Sequence, residues 1–298
     1  MVNQDQSRRR RALCAMGISA VMFAVMAAAT KWATRPLKEA AAIPGSEVAL
    51  IRFAIGVLVL LVFGKLAGTN LLGNDRKALF WRGISGGVAS LFFFVGIQLS
   101  TLTNASLLNS ASVVWSSLIA IFVLGETLSI TSGAAILMAL FGAYLVINPH
   151  LDHLLIGDLI SLGSGVVAGT AIVQVRRLRQ TESSLPVFFY FNLIGFPMAL
   201  VLIFATHTRL VAPTLFQWGI LTLMGLASVA AQLLMTYGYK ELKTAQGSLI
   251  ILANVIFAAL FSHLFFHEDF NWNTLLGGAL IIGSAVTQAL KRDAKGDS

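Results

Sequence analysis

Arg52 stands about six residues into the apolar run near 46–65. At 1.5 Å per residue that is roughly 9 Å below the end of a helix. An arginine at such depth costs roughly 2.5–3.5 kcal/mol on insertion scales, so it is kept where a cavity or a partner faces it. Its planar fork can hold a carboxylate or phosphate through two parallel hydrogen bonds. The competing reading is a structural ion pair, with Glu47 or a helix C-terminus as partner. A spacing of five puts Glu47 and Arg52 on different helix faces, which weakens that choice. Lys31 and Glu47 are expected to pair near one membrane face, both snorkelling toward water. Glu47 is also almost the sole carboxylate inside an apolar run, so proton coupling through a buried acid would fall to it.

Two polar stripes come next. Ser106, Asn109, Ser112 and Ser116 recur at spacings of three and four, which is one face of a helix. Gly247, Asn254, Ala258 and Ser262 make a comparable stripe later in the chain. Such stripes either glue helices together or line a cavity. Gln232 is a further polar candidate, and Trp115, Phe23, Met22 and Met26 are expected to supply apolar walls, where methionine adapts to variable ligands. The expected substrate-binding set is therefore Arg52, Asn109, Ser112, Trp115, Gln232, Asn254, Met26 and Phe23. Catalytic motifs are missing: the sequence has no HExxH, no phosphate-binding Gly-rich loop with lysine, and no CxxC. His263 and His267 stand four apart but lack a clear third ligand, so neither metal nor cofactor is expected. The single cysteine, Cys14, rules out an intramolecular disulfide.

The elements that must position these residues follow from composition. Of 298 residues 57% are hydrophobic and only 11% charged, against roughly 25% charged in soluble domains. Hydrocarbon is the solvent such a chain fits. Apolar stretches of about 20 residues, the length that crosses a bilayer, lie near 12–33, 46–65, 78–98, 103–124, 130–148, 156–175, 185–205, 214–236, 245–266 and 272–290. Helices are required, because isolated strands would leave backbone groups unpaired in lipid. The first run is longer than a signal-peptide core and reads as a retained span. With the N-terminus inside, sixteen Lys and Arg fall on the inner side and four on the outer: Lys31, Arg35, Lys38 and Arg209. Arg52 completes the 21. That asymmetry places both termini in the cytoplasm and all five histidines near the outer face. The net charge of +8 then reads as basic loops beside anionic headgroups, not as a nucleic-acid footprint. Gly83-x-x-x-Gly87 and Gly165-x-x-x-Gly169 allow close helix approach, and Pro197 should bend its span.

The chain also repeats. Leu102-Thr103-Asn104-Ala105 is echoed by Leu242-Lys243-Thr244-Ala245, and Leu124-Gly125-Glu126-Thr127-Leu128-Ser129 by Phe266-His267-Glu268-Asp269-Phe270-Asn271. The offsets are 140 and 142 residues, and Gly142 to Gly283 adds 141. An odd number of spans per unit inverts the second unit, so Glu126 ends inside and Glu268 outside. The expected fold is all-α, ten transmembrane helices as two inverted five-helix repeats over 12–148 and 156–290. Inverted repeats are typical of secondary transporters with a site near the midplane.

The alanine-led helix, the glutamate motif and the glycine-bearing helix, twice over, resemble paired EamA domains of the drug/metabolite transporter superfamily. The second glutamate motif departs from the pattern, with His267 where glycine is usual. The resemblance implies ten helices, alternating access, and substrates such as amino acids, nucleosides, vitamins or drugs. The expected protein is an inner-membrane secondary transporter, an exporter of small metabolites, with lipid as its other partner and no nucleic acid. A homodimer is left open. The competing reading is a membrane-embedded enzyme or lipid-handling protein on the same scaffold, and short loops offer it few catalytic groups. A channel would need rings of charge or filter-like loops that are missing.

Overall fold

The structure, a computed structural model, describes residues 2–36, 41–100, 102–147, 156–266 and 272–290. Within them the chain forms twelve helices: α1 (Val2–Ala33), α2 (Gly45–Leu66), α3 (Arg76–Leu99), α4 (Leu102–Ser110), α5 (Ser112–Leu124), α6 (Ile130–Ile147), α7 (Ile156–Leu178), α8 (Ser184–Ala205), α9 (Leu215–Gly238), α10 (Thr244–Ile251), α11 (Asn254–Phe266) and α12 (Trp272–Leu290). Seven helical stretches are long and apolar enough to cross a bilayer, the last of them running Thr244–Phe265, and shorter apolar helices cover Leu108–Leu124, Ile130–Gly142 and Leu275–Ser284. The chain is a multi-pass, all-helical membrane protein. His150, His153, Lys38, His267 and Glu268 lie outside the described residues, so three of the five histidines and the glutamate of the second motif are not placed.

Helix ends follow local chemistry. Asp75 caps α3 by accepting from the Ala78 N–H at 3.0 Å. Thr214 and Gln217 form a reciprocal capping box at the start of α9. The α5 helix stops at Gly125, whose φ of +63° is the left-handed conformation that glycine takes without strain. Pro197 sits inside α8, which runs unbroken from Ser184 to Ala205.

Two expected spans are not single helices. The run near 103–124 breaks at Ala111 into α4 and α5, and the run near 245–266 breaks at Leu252–Ala253 into α10 and α11. Short i to i−3 bonds mark both breaks: Ala111 N–H to the Leu108 carbonyl at 3.3 Å and Ala253 N–H to the Ile250 carbonyl at 3.1 Å. Ser110 Oγ donates back to the Ser106 carbonyl at 2.7 Å. Such side chains compete with the backbone ladder and bend helices. The two breaks are 142 residues apart, the offset of the glutamate motifs.

The helices pack α1 along α9, α3 along α7, α6 along α12, and α2 and α3 on α8. Both glycine motifs lie at helix seams, the first where α3 meets α8 and the second where α7 meets α4 and α5. A Cβ on Gly83 would sit 2.8 Å from the Tyr190 carbonyl oxygen of α8, and one on Gly165 2.7 Å from the Leu108 carbonyl oxygen of α4. A large apolar cluster formed mainly by α1, α2, α3, α8 and α9 makes the main core.

Candidate functional site

A cavity of about 160 Å³ opens at the middle of the bundle, where both helix breaks meet α1, α2, α3, α7, α8 and α9. At roughly 10–15 Å³ per water position that is room for about eleven to sixteen waters or a small metabolite. Seven of the eight expected binding residues line it: Arg52, Asn109, Ser112, Gln232, Asn254, Met26 and Phe23. Trp115 does not. It follows Ser112 by three residues on α5, yet its Cβ and backbone lie against Gly169 of α7 and the residue is 41% exposed. Met22 also stands outside the lining.

Arg52 is 2% exposed. Its Nε donates to Ser228 Oγ of α9 at 2.7 Å, while Nη1 is buried with no acceptor. Its guanidinium carbon lies 4.7 Å from the Phe191 ring centre, 5.0 Å from Phe53 and 5.8 Å from Phe94. A second arginine joins it. Arg82 of α3 is 3% exposed and lines the same cavity, its guanidinium carbon also 4.7 Å from Phe191. Both Nε and Nη1 of Arg82 lack an acceptor. Phe191 is fixed by edge contact with Phe53 at 5.5 Å and stacking on Phe188 at 5.7 Å. Gly86, one turn beyond Arg82, leaves the space for that guanidinium: a Cβ there would collide with Arg82 Nη1 and sit 2.5 Å from the Phe191 ring.

In sequence Arg82 falls among the inner-loop charges beside Arg76 and Lys77. Helix α3 begins at Arg76, so Arg82 lies roughly 9 Å along it. Its spacing of about one turn and a half from the last loop charge was the available signal.

The expected Lys31–Glu47 pair is not formed. Lys31 Nζ donates to the Ile97 and Ser100 carbonyls at 3.3 and 3.2 Å, at the end of α3. Glu47 Oε2 instead accepts the Val211 N–H at 2.9 Å, ahead of α9. Each satisfies a helix-end or loop backbone group nearer than the other. Glu47 is likewise no partner of Arg52, which turns toward Ser228.

The polar stripe divides its work. Asn109 Nδ2 donates to Ser164 Oγ at 2.7 Å, and Ser164 donates to the Ala89 carbonyl at 2.8 Å, tying α4, α7 and α3 together. Gln232 Oε1 is buried in the lining with no partner. Below them Ser116 Oγ and Ser248 Oγ meet at 3.1 Å, and the Tyr239 hydroxyl reaches Ser248 at 3.1 Å. Burial pushes the Tyr239 phenol up from its ordinary value. Ala258 lines the cavity, whereas the Ser262 side chain is outside the described residues.

At the same end of the bundle Glu126 of the first glutamate motif bridges several elements. Its Oε1 meets Arg176 Nε of α7 at 3.2 Å, and its Oε2 accepts the Thr244 N–H at the start of α10 at 3.0 Å. Arg176 Nη1 also donates to the Tyr239 and Lys240 carbonyls at 2.8 and 2.9 Å. Nearby, Arg179 donates to the Thr236 and Glu182 carbonyls. Burial lowers its guanidinium from the ordinary value, opposed by Glu241 and Tyr237.

The EamA-like transporter family profile matches residues 10–148 and again 155–288. The chain is 28% identical over 281 residues to the pseudopaline exporter CntI of Pseudomonas aeruginosa strain UCBPP-PA14, covering 93% of this chain and 98% of that protein. It is 23% identical to solute carrier family 35 member G1 of Mus musculus, over 92% of this chain and 77% of that one. A crystal structure of another protein superimposes with a TM-score of 0.74 at 19% identity, covering 91% and 94% of the two chains, a likeness of fold. With nearly all of its length matched in two consecutive blocks, the chain belongs to the EamA-like transporter family.

Proposed function

We propose that this protein is a secondary transporter that exports a small metabolite across the inner membrane by alternating access, with both termini cytoplasmic. Its ten spans form two inverted repeats over 12–148 and 156–290, with α4–α5 and α10–α11 each counting as one broken span. The observation that carries this reading is the central cavity at the two helix breaks, lined by Asn109 and Ser112 from one half and Ile251 and Asn254 from the other. Broken helices flanking a midplane site are how transporters place helix ends beside a substrate. The 142-residue spacing of the breaks supports a shared origin for the halves. Outward direction is supported by the likeness to an exporter.

In that frame the Glu126–Arg176 cluster closes the cytoplasmic end. Alternating access requires the cavity to meet each side in turn. A cysteine at Asn254, with Cys14 replaced, should therefore react with an impermeant thiol reagent applied from either face of oriented vesicles. Reaction from one face alone contradicts the proposal. Cysteines at Thr69 and Ser183 should be shielded in intact cells, and labelling there would invert the topology.

A further inference from the structure

We infer that the cavity is built for a small organic anion carrying two or more negative charges, gripped by Arg52 and Arg82 around Phe191. The inference rests on the transport cavity proposed above and specifies what it carries. Two guanidiniums share one aromatic ring at 4.7 Å each, and three of their buried nitrogens have no acceptor. Among the described residues no carboxylate lines the cavity. The nearby acids are engaged elsewhere: Glu47 with the Val211 N–H, Glu126 with Arg176, and Asp158 with the Ser100 hydroxyl.

Buried like charges without a counter-ion are costly, and attraction to an aromatic face offsets only part of that cost. An arginine kept for structure alone would carry its own acceptors, as Arg176 does with a carboxylate and two carbonyls. A monoanion would leave the site with net positive charge. A dianion neutralises it and supplies oxygens for all three open nitrogens. Carboxylate and phosphoryl groups both fit the guanidinium fork. Gly86 shows that the surroundings are shaped for the cation, since a side chain there would displace Arg82. Gln232 Oε1, also unpartnered, offers an acceptor for a hydroxyl or ammonium hydrogen of the same ligand.

Thermal unfolding of the purified full chain tests this, with citrate, pyrophosphate and acetate as probes at matched ionic strength. Citrate or pyrophosphate should raise the melting temperature of the native sequence by several degrees and acetate should not, because a ligand of the native state stabilises it. Which of the two acts identifies the carboxylate or phosphoryl class. Arg82→Met should melt at or above the native sequence without anion and lose the anion-dependent shift. Arg82→Lys keeps the charge but not the fork and should bind about tenfold more weakly or worse. The inference is overturned if neither polyanion shifts the native sequence, or if the shift survives unchanged in both variants. A several-degree loss in anion-free Arg82→Met also overturns it, since that marks a structural arginine. Failure of Arg82→Met to fold would overturn it for the same reason. One-sided labelling at Asn254 with the anion shift intact would sink the transport reading and leave the anion site standing. Two-sided labelling without an anion shift would do the reverse.

Discussion

Arg52 and Arg82 carry the same chemistry but were not equally visible. Arg52 interrupts an apolar run, so hydropathy alone isolates it. Arg82 stands six residues after Arg76, at the edge of a basic loop, and is hidden by its neighbours until the helix start is known. The Lys31–Glu47 pairing failed for a general reason: charge complementarity along a sequence ignores backbone groups, and both side chains found carbonyls or N–H groups nearer to hand. Since Glu47 and Arg52 have separate partners, Glu47→Gln and Arg52→Lys should be additive in melting experiments to within about 0.5 kcal/mol. A rescue by the double variant would restore the ion-pair account. Gly86→Ala should lose about 1–3 kcal/mol of stability through overpacking, and should also disturb Arg82. An alanine variant that melts like the native sequence would show that the arginine has room to move aside. Ser228→Ala leaves Arg52 Nε without its acceptor. The expected loss is about 1–3 kcal/mol in equilibrium unfolding, and no loss would mean that the guanidinium rotates to another partner.

Helix breaks belong to the scale of the element, and here the sequence misled by its regularity. Ala111 and Ala253 are good helix formers, so nothing in propensity marks the two interruptions. What could have marked the first is Asn109 and Ser110 before it and Ser112 after it, because such side chains draw backbone groups out of the ladder, whereas the second has only Asn254 beside it. The stripes at 106–116 and 247–262 were read as one face of a continuous helix. In the structure the interruption divides them: Asn109 and Ser112 face the cavity, Ser116 closes against Ser248, and Trp115 turns outward. The Glu126–Arg176 link shows how one short motif joins elements distant in sequence. Arg176→Met removes a cation from Glu126 and a donor from two carbonyls. It should cost about 1–3 kcal/mol and loosen that end of the bundle. If hydrogen exchange at Thr244 and its neighbours in α10 were unchanged in the variant, the link would be a surface contact without consequence.

For the whole molecule, composition and loop charge were sufficient to give a multi-pass helical membrane protein, because hydrocarbon imposes long apolar helices whatever the function. The repeat was legible from a few motif offsets of 140–142 residues, which the breaks at Ala111 and Ala253 extend. Packing between the halves was not legible, since α1 against α9 and α3 against α7 join segments far apart in sequence. The packing of α2 against α9 and of α3 against α8 is what brings Arg52 to Ser228 and Arg82 to Phe191. In the proposed transport cycle the halves rock about this cavity so that one end opens as the other closes. Electron-spin distance measurements can follow both ends at once, with one label pair at Thr127 and Lys240 and another at Pro36 and Leu210. In the Arg176→Met background the first pair should shift toward longer distances while the second shifts toward shorter ones. Distances that stay fixed at both ends, or lengthen together, would contradict alternating access.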